Sequence, residues 1–152
     1  MFSFQDAFHL AHVTHSKPTG VSAGYLPKWL LLISVISVFN SIQTYVSQDL
    51  TRKVYEGKPS ETTALSARMF GTWTFVSAVI RLYGVFFLHE EHIFQLTFIS
   101  YAIALFHFLT EWLIFGTCRL GKGSLGPFVV ATTSLVWMYL TKEYYTGVGW
   151  HF

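Results

Sequence analysis

Long apolar runs, broken almost only by short polar turns, constrain this chain more than any motif does. The hydrocarbon core of a bilayer is ~30 Å thick and a helix rises ~1.5 Å per residue, so a crossing needs about 20 mostly apolar residues. Four segments meet that length, at approximately residues 27–46, 64–88, 92–115 and 127–145. The last is apolar only as far as Leu140 and uses Tyr144 and Tyr145 as its interfacial end. Composition removes the alternatives. Of 152 residues 52% are hydrophobic and only 12% charged, against roughly 25% charged in a soluble domain. A soluble fold of this size could not hide 15 Phe, 8 Tyr and 5 Trp beneath a solvated surface. With Cys118 alone there is no disulfide scaffold. The expected architecture is an all-α membrane protein, with four transmembrane helices forming a compact bundle in one domain over residues 1–152.

The boundaries have local causes. Pro27 and Pro127 stand where a first helical turn tolerates proline. Trp29, Tyr45, Trp112, Trp137, Tyr144 and Tyr145 lie toward span ends, as interfacial aromatics do. Spans two and three are separated only by the turn from His89 to His92, so they are antiparallel neighbours. Residues 1–23 are expected to be a loose tail or a short interfacial segment around Phe4, Phe8 and Val13. They lack the basic stretch and unbroken apolar run of a cleaved signal. Lys17, Lys28 and Lys142 fall on the side of the termini, whereas Arg52, Lys53, Lys58, Arg119 and Lys122 fall on the other. The basic-loop rule therefore favours the latter loops in the cytosol.

Small and polar residues recur at helical spacing within the spans. Ser34, Ser37 and Ser41 of span one, Gly71 and Ala78 of span two, and Ser100 and Ala104 of span three form the expected helix-packing seam. An intramembrane polar network is expected from Asn40, Gln43, Arg68, Arg81, His107 and Glu111. Ionisable groups at such depth are costly and seek partners. Counting outward from the turn at Glu90 and Glu91 brings Arg68 level with Glu111, which predicts an ion pair with His107 one turn deeper. The same count sets Arg81 level with Ser100 and Tyr101, where it either pairs within a seam or snorkels toward Glu90 and Glu91.

Catalytic patterns were weighed against these packing roles. The seven histidines, His9, His12, His15, His89, His92, His107 and His151, do not converge from several helices with carboxylate support, as a metal centre requires. His89-Glu90-Glu91-His92 has two residues between its histidines where a zinc-protease motif has three. Gly121 to Gly126 and Gly116 to Lys122 match nucleotide-binding patterns by letter. The first lacks a preceding strand, and in the second Gly123 stands where Ser or Thr would ligate magnesium. Both read as a tight interfacial turn. A net charge of +2 spread over two membrane faces gives no nucleic-acid footprint. No catalytic, cofactor or metal-binding residue is therefore expected.

Several blocks carry a family resemblance: Gly24 to Leu31, Ser37 to Val46, Leu50 to Tyr55, Ala67 to Phe75, Ile80 to Gly84, Ala104 to Phe108, Leu120 to Gly123, Thr132 to Met138 and Tyr144 to Gly147. Over about residues 24–150 the chain resembles the ergosterol biosynthetic protein 28 family, in a fungal form. The resemblance implies a multi-pass endoplasmic-reticulum membrane protein that is not an enzyme. It implies a scaffold tethering the sterol C-4 demethylation enzymes, namely the C-4 methyl oxidase, the C-3 dehydrogenase/decarboxylase and the 3-keto reductase. A link to the sterol C-24 methyltransferase comes with it. Candidate partner- or lipid-facing residues are Arg52, Lys53, Trp73, Phe86, Phe87, Phe94, Phe98, Arg119 and Lys122. A homodimer is a further expectation. The rival readings are a sterol or lipid-intermediate carrier, using a bundle cavity gated by Asn40, Gln43, His107 and Glu111, and an enzyme using His107 and Glu111 as acid and base.

Overall fold

A computed structural model describes residues 20–150, which form helices and turns with no strand among them. The expectations for residues 1–19 and for His151 lie outside the described residues. Of the proposed N-terminal segment, Gly20–Ala23 is a 3-10 turn. Four long helices follow: α1 (Tyr25–Val46), α3 (Ala64–Phe87), α4 (Glu91–Leu113) and α5 (Leu125–Thr146), with the short α2 (Asp49–Val54) between α1 and α3. A 3-10 turn, Pro59–Glu61, precedes α3.

Three of these, α1, α3 and α4, are long and apolar enough to cross a membrane. Helix α5 matches α1 in length at 22 residues, but falls below them in hydropathy. Its run of Thr132, Thr133 and Ser134, and Thr141 to Glu143 near its end, dilute the apolar stretch. Of the four expected crossings, three helices thus carry both the length and the hydropathy of spans.

Side-chain chemistry sets the helix ends. Thr63 and Ser66 cap α3 reciprocally: the Ser66 backbone N–H donates to Thr63 Oγ1 at 3.1 Å, and the Thr63 N–H donates to Ser66 Oγ at 2.8 Å. Gly147 closes α5 at φ 75°, a left-handed conformation that suits glycine, and its N–H donates to Glu143 O at 2.8 Å.

The bundle runs up-down-up-down. α1 packs most extensively on α3 and α4 on α5, the α3–α4 hairpin joins these pairs, and the contact of α1 with α5 is the lightest of these four. Ser34, Ser37, Ser41 and Thr44 of α1 are buried together with Ala67, Gly71 and Ala78 of α3, as are Ser100 and Ala104 of α4. A Cβ on Gly71 would run into Thr44 Oγ1 and come within 3.1 Å of Ser41 O, so the close approach of α1 and α3 depends on glycine there. The hydroxyls are satisfied within their own helix: Ser34 donates to Leu30 O and Ser41 to Ser37 O, both at 2.7 Å.

Two apolar clusters fill the bundle. One, near the termini and the α3–α4 turn, contains Leu26, Leu30, Val85, Phe94, Tyr101 and Met138. The other, beside the remaining loops, contains Val54, Phe108, Cys118 and Phe128. Phe94, expected to face lipid, is fully buried in the first. It shares the inner face of α4 with Thr97 and Tyr101, at i+3 and i+7, so it points into the bundle. Phe98 is half-buried against Trp150, with ring centroids 4.9 Å apart. Trp73 is half-buried between Phe70 and Phe108. Phe86 and Phe87 remain exposed, as do Arg52, Lys53, Arg119 and Lys122.

Candidate functional site

One buried charge is Arg81, 6% exposed on α3. Its Nε donates to Ser100 Oγ and its Nη2 to Ser100 O, each at 3.3 Å, while its guanidinium lies 3.9 Å from the centre of the Tyr101 ring. Depth counted from the hairpin turn brings these residues together, and the pairing lies inside the seam rather than at Glu90 or Glu91. Nearby, Trp29 Nε1 donates to Ser134 Oγ at 2.9 Å and ties α1 to α5. Arg81 and Tyr101 line a cavity of about 260 Å³ whose walls come from all four long helices, with Leu50 and Val54 of α2 at one end. Asn40, half-buried, lines it too. Gln43 is exposed, since it lies two residues, about 200° of helix, from the inward Ser41, and it takes no part in the interior network.

A second cluster stands at the opposite end of α4. Tyr55, just past α2, is joined to His107 Nε2 by a 2.7 Å hydrogen bond. His107 Nδ1 stands 4.0 Å from Glu111 Oε1, and Thr117 Oγ1 donates to Glu111 Oε2. Burial, then the negative charge of Cys118 and Glu111, pushes the Tyr55 phenol well above its ordinary range. The hydroxyl therefore stays protonated; where it donates to Nε2, the imidazole proton sits on Nδ1, toward Glu111, and the other tautomer reverses the bond. Trp73 and Phe108 meet the His107 ring edge-on, at centroid distances of 5.5 and 5.3 Å. Tyr55, Trp73, His107, Glu111 and Thr117 line a second cavity of about 330 Å³ beside the loops.

The predicted ion pair of Arg68 with Glu111 does not form. Arg68 is exposed, and none of the ion pairs among the described residues includes it. The two residues share a depth, but Arg68 follows the buried Ala67 on α3 and is turned about 100° away from the seam. The carboxylate finds Thr117 and His107 instead.

The glycine-rich segment holds this cluster in place. Gly57 N–H donates to Thr117 O at 2.9 Å, joining the two loops. Gly123 passes so close to the Lys53 carbonyl that a side chain would collide with backbone. That contact explains the glycines as a docking surface for α2, consistent with a tight turn rather than a phosphate cradle. Burial, with Glu111 adding negative charge, pushes the neighbouring Cys118 thiol up from 9.0 to about 11. The unfolded chain loses this proton first. The stability linked to it is therefore whole below pH 9 and is lost as pH rises toward 11. Iodoacetamide at pH 8 is expected to alkylate Cys118 in the folded protein roughly a hundredfold more slowly than in denaturant, since the thiolate is the nucleophile. Alkylation rates with and without denaturant check this, and equal rates would refute it.

Sequence reasoning missed a third cluster. Lys142 of α5 is 2% exposed, and its Nζ donates to Glu91 Oε1 at 2.9 Å and to Gly149 O at 2.9 Å, while lying 4.6 Å from the centre of the Trp150 ring. Gln95 Nε2 also donates to Glu91 Oε1, at 3.1 Å. Opposite charges at the same-side ends of adjacent antiparallel helices were the available signal.

Among the described residues, no group of three or more His, Cys, Asp or Glu stands in a metal-ligating arrangement. A family model described as "Erg28 like protein" matches residues 26–136. The chain is 65% identical to ergosterol biosynthetic protein 28 of Saccharomyces cerevisiae, over 99% of this chain and 100% of the relative. It is 38% identical to the Schizosaccharomyces pombe protein of that name, over 80% of this chain and 89% of the relative. The human homolog is 35% identical, over 78% of this chain and 86% of the relative. No solved structure matches the chain.

Proposed function

The chain belongs to the Erg28-like family, and from that premise we propose that it serves ergosterol biosynthesis as a non-catalytic scaffold. In this reading it is a four-span protein of the endoplasmic-reticulum membrane. It gathers the sterol C-4 methyl oxidase, the C-3 dehydrogenase/decarboxylase and the 3-keto reductase, with the C-24 methyltransferase as a further partner. The printed names of the relatives support the pathway. One structural observation supports the scaffold: the interior charges are engaged in ties between elements. Arg81 binds Ser100 on the next helix, Lys142 binds Glu91 across α4 and α5, and Glu111 binds Thr117 of the following loop. Holding successive enzymes side by side raises their effective concentration for one another, which matters for intermediates confined to a membrane. Phe86 and Phe87, with the exposed basic groups Arg52, Lys53, Arg119 and Lys122, offer surface for such partners.

The test is purification of the tagged protein in mild detergent, followed by quantitative mass spectrometry of proteins and sterols. Enrichment of the three C-4 enzymes is expected, with accumulation of C-4 carboxylated or ketonic sterols when the protein is lost. The purified chain is expected to leave a C-4 methyl sterol unconverted. Turnover by the pure chain, or an absence of those enzymes from the eluate, overturns the reading. The carrier reading has one observation of its own, the cavity beside Arg81.

A further inference from the structure

Two buried polar groups in the cavity between the four long helices are under-used. Arg81 carries a positive charge, yet none of the ion pairs among the described residues includes it. Its two bonds to Ser100 are 3.3 Å long, whereas charge-assisted bonds settle near 2.7–2.9 Å. Ser100 Oγ already donates to Thr97 O at 2.7 Å, so it offers Arg81 a neutral, shared oxygen. Beside it, Tyr101 is fully buried, and its hydroxyl approaches Ser134 only loosely, short of a full hydrogen bond. Lys142 shows the contrast: the other buried cation of the bundle has a carboxylate at 2.9 Å.

The rest of the cavity wall is mostly apolar. Phe70, Trp73 and Phe108 supply aromatic surface, and Ala104 and Ala131 supply small flat patches. Among its lining residues, Ile36 of α1 and Gly126 of α5 are exposed, on two helices that pack lightly on each other.

We propose that this cavity binds a lipid bearing a single carboxylate, with the carboxylate against Arg81 and Tyr101 and the apolar body along Phe70, Trp73 and Phe108. The chemistry selects this class. A carboxylate accepts from both guanidinium and phenol and neutralises the one buried charge that lacks an acidic partner among the described residues. An alcohol satisfies Tyr101 but leaves the charge of Arg81 uncompensated, and a phosphate monoester brings more charge than one cation balances. A small inorganic anion leaves some 260 Å³ of apolar wall unfilled. The inference concerns a ligand site and stands apart from tethering, since it holds or fails without any partner protein.

The test uses the full chain in detergent, with tritiated 3β-hydroxy-5-cholenic acid and tritiated oleate as probes. Saturable binding of one acid per chain is expected, with the unlabelled acid competing and its methyl ester at least tenfold weaker. Cholesterol, the neutral alcohol, is expected to compete as poorly as the ester. Preference for the ring acid or for oleate identifies the body of the natural ligand, and either preference supports the site. Arg81→Gln is expected to weaken the acid roughly ten- to a hundredfold, the loss of a hydrogen bond to a charged group. Should that variant not fold, Tyr101→Phe, which removes only one oxygen, is expected to weaken the acid severalfold. Ala131→Phe, which fills the cavity and leaves Arg81 in place, is expected to abolish binding. Equal binding of acid, ester and alcohol, no saturable binding, or undiminished binding in Tyr101→Phe and Ala131→Phe overturns the proposal.

Discussion

Replacing Glu91 by alanine is expected to destabilise the folded protein by about 3 kcal/mol, the low end of the 3–5 kcal/mol typical of breaking a buried pair from one side. The damage comes from Lys142, which stays 2% exposed with its charge uncompensated. It is moderated because Nζ keeps Gly149 O and the face of Trp150. Lys142→Met is expected to cost less, about 1 kcal/mol, since Glu91 is 35% exposed and retains Gln95 and solvent. The double variant is expected to recover most of the loss from Glu91→Ala, because an apolar pair of similar volume carries no desolvation penalty. Thermal unfolding in detergent, followed by tryptophan fluorescence, gives the four corners of the cycle. Strictly additive losses would show that the pair contributes nothing as a pair.

Gly71→Leu is expected to prevent α1 and α3 from closing, so that folded protein falls below detection in size-exclusion chromatography. Gly71→Ala makes the point quantitatively. Its methyl group meets Thr44 Oγ1 and the Ser41 carbonyl, an overpacking that costs about 1–3 kcal/mol. The strain has a named origin, so it has a named cure: Thr44→Ala shortens the opposing side chain and is expected to restore part of the stability of Gly71→Ala. The carbonyl at 3.1 Å cannot be removed, which keeps the rescue incomplete. Melting temperatures of the two singles and the double decide it, and a rescue of zero would put the close approach elsewhere.

Both experiments probe features of unequal legibility. Helix number and depth could be read from the chain, because apolar length and a very short turn leave little freedom in how two spans align. Arg81 beside Ser100 and Tyr101 follows from that alignment. Rotation about the helix axis is another matter. In a membrane the outer face is as apolar as the inner, so hydropathy does not say which way a side chain points. Phe94 and Arg68 both illustrate this, one turned in and the other turned out at the depths expected of them. Small residues were better guides than large ones, since a glycine or serine on a lipid-facing surface gains nothing from being small. Lys142 escaped notice for a different reason. Its partner lies 51 residues away on another helix, and within the span it counted only as a basic group on the side of the termini.

The light contact between α1 and α5 bears on the order in which the bundle is made. Helix α1 leaves the ribosome first and finds its main partner, α3, after one loop, so this hairpin can settle while the remainder is still being synthesised. Its tie to α5 is the Trp29–Ser134 hydrogen bond, which spans 105 residues of sequence. Ring closure therefore waits for α5, the last helix to be made.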